Sequence, residues 1–140
     1  VYCTILSGGL VAGLNAGSQF NTFPLMNGQL IPQGLFVQSP WYANITENIM
    51  TVQFNHRYFA LFTAFCIVAF GLWCRQYLTH SRQRKAIYFM FAAVLLQVAL
   101  GIGTLLSVVW LPLASSHQMG AVVLLTSLVW VNHELWRPIH

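Results

Sequence analysis

Two histidines lie at the edges of long apolar segments. His56 is near the front of the stretch TVQFNHRYFALFTAFCIVAF, and His117 is near the start of PLASSHQMGAVVLLTSLVWV. An ionisable side chain inside an apolar helix is costly, and by default it indicates a functional site. Imidazole nitrogens bind iron, copper and zinc, so the pair could hold a metal between two helices. The alternative is that the two side chains only hydrogen-bond between helices.

The number and kind of ligands favour haem iron. A zinc site needs three or four protein ligands, and no Cys, Asp or Glu lies near these histidines in the sequence. Haem iron already has four nitrogens from its macrocycle and needs only two axial ligands. Ala60, Gly120 and Ala121 follow the histidines by about one helical turn. Such small side chains would leave room for a flat macrocycle.

Three polar neighbours are candidate contacts of the same group. Arg57 adjoins His56 and could pair with an anionic haem propionate. It could equally serve as an anchor of the helix at the membrane interface. Gln53 and Gln118 are candidates for hydrogen bonds to the ligand imidazoles.

The composition predicts that lipid surrounds most of the chain. Of its 140 residues, 57% are hydrophobic and 6% are charged, and the mean hydropathy is +0.65. Soluble domains contain about 25% charged residues. This chain could not cover its surface with polar groups, and its length allows one domain. The net charge of +4 does not indicate nucleic-acid binding, because four of the six basic residues cluster in one short gap.

Four apolar segments are predicted to be membrane-spanning helices. They cover residues 1–17, 55–74, 87–109 and 114–132. About 20 residues at ~1.5 Å per residue cross the ~30 Å hydrocarbon layer. Backbone groups in lipid must be satisfied within the segment, which favours helices. The predicted fold is therefore an all-α integral membrane protein, a four-helix up-down bundle.

Basic residues set the predicted orientation of these helices. Four of them lie in the loop over residues 75–86: Arg75, Arg82, Arg84 and Lys85. The positive-inside rule places this loop on the cytoplasmic or matrix side, and Arg137 falls on the same side. The long loop over residues 18–50 then lies outside. We expect the imidazoles of His56 and His117 to face each other at one depth, across a slot wide enough for a porphyrin.

Other patterns are interpreted structurally. The three cysteines, Cys3, Cys66 and Cys74, fit neither a disulfide framework nor a metal site and are interpreted as core residues. The repeat of Gly9, Gly13 and Gly17 on one helix face is typical of close helix packing. The remaining histidines are interpreted as solvated or interfacial: His80, His133 and His140.

Three long motifs carry a resemblance to a known family. They read GLVAGLNAGSQFNTFPLM, TVQFNHR and PLASSHQMGAVVLLTSLVW. From about Gly9 to Trp136 the chain resembles the haem A synthase family, the Cox15/CtaA proteins, and its NTFP loop is similar to the mitochondrial and proteobacterial branch. The resemblance implies eight transmembrane helices in two pseudo-symmetric four-helix halves. Residues 1–140 resemble the C-terminal half, and we expect the chain to be a fragment that lacks the N-terminal half.

The same resemblance implies a cofactor and a division of labour. His56 and His117 would be the axial ligands of a haem b. The missing half would hold the substrate haem O, whose C8 methyl is oxidised to the formyl group of haem A. In that catalytic half a glutamate stands three residues before the first histidine, whereas this chain has Gln53 there. We therefore expect no catalytic residue here, and an electron-relay half of an oxidoreductase that is inactive alone.

Two other functions stay open. One is a stand-alone b-type cytochrome with two histidine ligands, and the other is a non-redox structural or transporter fragment. The expected location is the bacterial inner membrane or the mitochondrial inner membrane. The expected partners are the lipid bilayer, haem O in the missing half, an electron donor of unknown identity, and a second copy of the chain in a homo-oligomer. Nucleic acid is not expected as a partner.

Overall fold

Helices make up most of the protein. The computed structural model describes residues 1–136, so the expectations for Arg137 and His140 lie outside them. The elements in chain order are α1 (Tyr2–Gly13), a 3₁₀ turn (Ala16–Ser18), α2 (Ala43–Thr46), α3 (Ile49–Arg75), α4 (Ser81–Leu106) and α5 (Leu111–Trp136). Within the described residues the sole β-type pairing is one isolated bridge, between Met26 and Gln29. The all-α prediction is confirmed.

Helices α3, α4 and α5 are long and apolar enough to cross a membrane. They contain 27, 26 and 26 residues. At ~1.5 Å per residue each is about 40 Å long, which exceeds the ~30 Å hydrocarbon layer. Large apolar side chains on their surfaces are exposed, such as Phe65 at 70% and Leu95 at 68%. Contiguous surfaces of this kind suit lipid rather than water. The predicted spans over 55–74 and 114–132 are confirmed as helices, and the span predicted over 87–109 is confirmed up to Leu106, where α4 ends.

All three helices begin before their predicted starts, and polar side chains cap two of them, α3 and α4. The Oδ1 of Asn48 accepts hydrogen bonds from the N–H groups of Met50 (3.1 Å) and Thr51 (3.2 Å). The Oε1 of Gln83 accepts from the N–H of His80 at 3.3 Å. Both caps lie outside the apolar runs, so hydropathy alone places the helix starts too late.

The first predicted span, over residues 1–17, is not confirmed. Helix α1 contains 12 residues, and its length of about 18 Å is short of a bilayer crossing. Asn15 follows in the left-handed conformation with φ +51°, which ends the helix before the 3₁₀ turn. The four-helix count of the prediction is therefore not confirmed, and three spans are described.

The helices pack in the order α1, α3, α4, α5. Helix α1 packs on α3, α3 packs on α4, and α4 and α5 form the most extensive interface. Among the described residues, α3 and α5 make at most marginal contact with each other. The two helices that carry His56 and His117 are thus joined through α4 and do not pack closely on each other.

The packed apolar core fills only one half of the bundle, which we call the core half. Its members are Ile67, Cys74, Ala86, Ile87, Met90, Ala93, Val94, Leu124 and Val131. The opposite half, the histidine half, consists of residues 49–63, 97–106 and 111–121. Within it, Val52 is the one buried apolar side chain that the structure describes. The protein's own side chains therefore do not fill the histidine half.

The interpretation of all three cysteines as core residues is wrong in part. All are free thiols, and Cys74 is buried in the core half. Cys3 and Cys66 are exposed on the helix surfaces. An apolar surface is acceptable for a thiol in lipid, so an apolar sequence context does not by itself imply a core position.

Candidate functional site

The two candidate ligands occupy matching positions on parallel helices. His56 is the eighth residue of α3 and His117 is the seventh residue of α5. At ~1.5 Å per residue each lies about 10 Å from its helix start. Both helices start at the same end of the bundle, because α4 runs between them in the opposite direction.

Helix α1 holds the ring of His56. The Oγ of Ser7 lies 2.9 Å from the Nδ1 of His56, and the same hydroxyl lies 2.8 Å from the main-chain oxygen of Thr4. Gly8 lies against the ring, and a Cβ on Gly8 would come within 3.1 Å of the imidazole Cε1. The absence of a side chain at Gly8 therefore allows α1 to approach the histidine.

Helix α4 holds His117 through a second glycine and an amide. A Cβ on Gly101 would lie 2.9 Å from the Cε1 of His117 and 3.4 Å from its Nε2. The Nε2 of Gln97 donates to the main-chain oxygen of His117 at 3.0 Å. The Nδ1 of His117 is buried and has no hydrogen-bond partner within the described part of the chain. A buried polar atom without a partner indicates a ligand or water that completes the site.

Gln53 and Gln118, which were predicted to contact the ligand imidazoles, have different surroundings in the structure. Gln53 is buried at 2% exposure, and its Nε2 donates to the main-chain oxygen of Ala16 at 2.9 Å. Its amide therefore fastens the segment after α1 and does not reach the imidazole. Gln118 is exposed, and its side chain makes no hydrogen bond to residues 1–136. A hydrogen bond from Gln118 to a ligand imidazole is not present in the structure.

Arg57 clamps the loop that follows α1. Its Nη1 donates to the main-chain oxygen of Thr22 at 2.7 Å, and its Nη2 donates to the main-chain oxygen of Phe20. The Nη2 also lies 3.4 Å from the Oε1 of Gln53. The Nε is buried without a partner among the described residues. The guanidinium thus holds the loop over the start of α3 and keeps one donor unused.

The glycines that were predicted to leave room for the haem or to pack helix α1 have different surroundings. A Cβ on Gly120 would overlap the side-chain amide of Gln97, so Gly120 serves the contact of α5 with α4 and not the space beside the ligand. Among residues 1–136, nothing lies within 4 Å of an added Cβ on Gly9 or Gly13, and the packing interpretation is wrong for both within this part of the chain. The packing interpretation holds for Gly17, where an added Cβ would lie 2.9 Å from the side chain of Val109.

Four residues at the site were missed from the sequence: Ser7, Gly8, Gln97 and Gly101. Gln97 carried a usable signal, because it is the one strongly polar side chain in a long apolar run. Ser7 and Gly8 belong to a run of small residues, SGG, whose contacts depend on how α1 is rotated against α3. Hydropathy does not determine that rotation.

The residues present fit a haem. Two imidazoles lie at matching heights, each beside a glycine, in the half of the bundle that has almost no buried apolar side chains. Residues 1–136 contain no group of three or more His, Cys, Asp or Glu that could form a protein-only metal cage. A metal that brings four ligands of its own and needs two more matches this donor set.

Fold and site together define the class: a helical membrane protein in which two parallel spans each carry a histidine near the same end. A sequence profile described as COX15-CtaA, cytochrome oxidase assembly protein, matches residues 1–129. The chain belongs to this family, as the motif resemblance had implied.

Similar proteins agree with this assignment. The chain is 47% identical to a protein named "Heme A synthase" from Nitrosospira multiformis over 98% of this chain and 38% of the relative. It is 45% identical to the "Heme A synthase" of Rhodospirillum centenum over 96% of this chain and 36% of the relative. It is 41% identical to "Heme A synthase COX15" of Homo sapiens over 98% of this chain and 33% of the relative. The chain thus spans between 33% and 38% of the length of these relatives. No solved structure matches it significantly.

Proposed function

We propose that this chain binds one haem b, with His56 and His117 as the axial ligands, and relays electrons within a haem A synthase. The observation that carries the proposal is the placement of two imidazoles at matching positions on α3 and α5, in the half of the bundle that the core leaves unfilled. The names of the relatives support the assignment of the reaction.

Each part of the chain has a role at such a site. The bound haem would supply a one-electron redox couple, and an iron with two histidine ligands has no open position for O₂ or substrate. Ser7 and Gly8 orient the ring of His56, while Gly101 and the hydrogen bond from Gln97 position His117. The loop clamped by Arg57 covers the start of α3, and the unused Nε of Arg57 is the donor available to a propionate.

The proposed reaction belongs to the whole protein. Conversion of the C8 methyl of haem O to the formyl group of haem A is a four-electron oxidation, and its final oxidant would be bound outside this chain. A haem held here would carry electrons one at a time. This chain offers no acid at the site. Gln53 stands where the catalytic half has a glutamate, Glu47 is exposed in the loop, and Glu134 lies at the far end of α5. These positions favour electron relay over methyl oxidation, with haem O and the electron donor bound elsewhere.

The proposed orientation places the core half toward the cytoplasm or matrix of a bacterial or mitochondrial inner membrane. The four clustered basic side chains are all exposed at the end of the bundle opposite the histidines: Arg75, Arg82, Arg84 and Lys85. Cationic side chains at one end of a set of spans favour the cytoplasmic or matrix side.

A reduced-minus-oxidised absorbance spectrum of the protein purified in detergent tests the proposal. The wild type should show the α-band of a low-spin haem, and His56→Ala and His117→Ala should each abolish it. His80→Ala is the matched control, because His80 is exposed in the loop before α4. The absence of a haem spectrum in the wild type would refute the proposal, as would its survival in both site variants.

A further inference from the structure

The hydroxyl of Ser7 determines which nitrogen of His56 carries the proton. A serine hydroxyl has one hydrogen to donate, whereas a main-chain carbonyl can only accept. The Oγ of Ser7 lies 2.8 Å from the oxygen of Thr4, so the serine hydrogen is used in that bond. The hydrogen in the 2.9 Å contact with His56 must then come from the imidazole Nδ1. Neutral His56 is therefore protonated at Nδ1, and its Nε2 has a free lone pair.

The burial of Ser7 limits the other hydrogen-bond partners that its hydroxyl could have. Ser7 is 9% exposed, so the hydroxyl has little access to water as another partner. The main chain at Gly8 lies close to the same ring, since an added Cβ there would approach Cε1 to 3.1 Å. Ser7 and Gly8 together hold the ring in one tautomer and one orientation.

We infer that Ser7 is a positioning residue that presents the Nε2 of His56 to the haem iron and lowers the reduction potential of that haem. The inference rests on the proposed haem binding. An acceptor at the outer N–H of a ligand imidazole raises the basicity of the ligand. A more basic ligand stabilises Fe³⁺ relative to Fe²⁺, so the one-electron reduction of Fe³⁺ to Fe²⁺ becomes less favourable. No bond forms or breaks in that step.

The two ligands are thereby inequivalent. The Nδ1 of His117 has no hydrogen-bond partner within residues 1–136, whereas that of His56 donates to Ser7. Helix α1 is then a functional part of the site through a single hydroxyl.

The experiment compares Ser7→Ala with a matched control, Thr63→Val, in the detergent-purified protein. The Oγ1 of Thr63 lies 2.8 Å from the Oγ1 of Thr4, so this control also removes one side-chain hydrogen bond between α1 and α3. It leaves the bond to the imidazole intact. Ser7→Thr keeps a hydroxyl at the position and serves as the conservative rescue.

The measurements are haem content, midpoint potential by spectroelectrochemical titration, and the low-spin signal in electron paramagnetic resonance. Ser7→Ala should keep the haem, raise the midpoint potential and shift the g values. Thr63→Val and Ser7→Thr should match the wild type. Should Ser7→Ala lose the haem while Ser7→Thr retains it, the requirement for the hydroxyl is likewise supported.

Three results would overturn the inference while leaving haem binding in place. They are an unchanged potential and signal in Ser7→Ala, an equal shift in Thr63→Val, and loss of haem from both Ser7 variants. A wild type without a bis-histidine haem spectrum is a different result, because it removes the proposed function itself.

Discussion

The Nε2 of Gln97 on α4 donates a 3.0 Å hydrogen bond to the main-chain oxygen of His117 on α5. This bond joins the most extensive helix interface of the protein to the residue whose imidazole enters the site. Gly120 makes room for it, because any Cβ there would overlap the amide of Gln97. Because this hydrogen bond is made to the main chain of His117, it fixes the position of that residue along α4.

Gln97→Leu should loosen α5 and weaken haem retention. It removes a hydrogen bond between membrane helices, which is worth roughly 0.6–1.5 kcal/mol. We expect a lower thermal midpoint in detergent and a smaller haem content. Gln118→Leu is the control, because the side chain of Gln118 is exposed and makes no hydrogen bond among the described residues. Equal effects of the two substitutions would contradict the role of Gln97 and support a contact of Gln118 with the cofactor.

Gly101→Ala should displace the imidazole of His117 with little cost in stability. The new Cβ would lie 2.9 Å from Cε1, and the ring at the end of its side chain can move away. The haem spectrum should weaken or shift while the thermal midpoint of the apoprotein stays near that of the wild type. Gly103→Ala is the control, since its Cβ would meet Leu113 at an ordinary 3.6 Å. A normal spectrum in Gly101→Ala would mean that the ring of His117 is not fixed at this position.

Gly8→Ala should act on the other ligand in the same way. A Cβ there would lie 3.1 Å from the Cε1 of His56, whereas Gly9 has nothing within 4 Å. We expect a reduced haem content for Gly8→Ala and no change for Gly9→Ala, measured as the haem-to-protein absorbance ratio. The opposite order would mean that α1 presents a different face to α3.

Arg57→Gln should release the loop after α1. The substitution removes the donors to the main-chain oxygens of Phe20 and Thr22. Hydrogen–deuterium exchange should become faster in residues 18–24, because local opening costs less free energy when the clamp is absent. Arg75→Gln, at an exposed position, should leave this exchange unchanged. Slow exchange in Arg57→Gln would show that the loop is held by its other contacts.

Gly71→Ala should destabilise the core half and leave the ligands in place. Its Cβ would lie 2.5 Å from the ring of Phe91 and 2.8 Å from the Cε of Met90. Overpacking of this kind costs about 1–3 kcal/mol. The thermal midpoint should fall, while haem that remains bound should keep the wild-type spectrum. A changed spectrum would mean that the two halves of the bundle are coupled.

The helices and the histidine pair could be predicted because they depend on local composition. Apolar runs of about 20 residues define spans by length alone. The fixed rise of a helix then places His56 and His117 at similar distances from their helix starts. The length of the first helix could not be predicted in this way, because the left-handed turn at Asn15 interrupts a run that stays apolar in composition.

The hydrogen-bond partners of the polar side chains were harder to predict. Gln53 and Arg57 are close to His56 in sequence, yet their side chains reach backbone oxygens of residues 16–22. Gln97 is distant in sequence and contacts the main chain of His117. Sequence spacing gives the face of a helix on which a side chain lies, but not the partner that the rest of the chain brings to that face.

The sequence by itself therefore determined a helical membrane protein with two histidines at matching positions in its spans, since hydropathy and helical rise are properties of single segments. Only the tertiary structure decided that Ser7 and Gly8 meet His56, that Gly101 meets His117, and that Arg57 clamps a loop. These contacts depend on the rotation and spacing of helices against one another, which side chains from separate segments determine jointly.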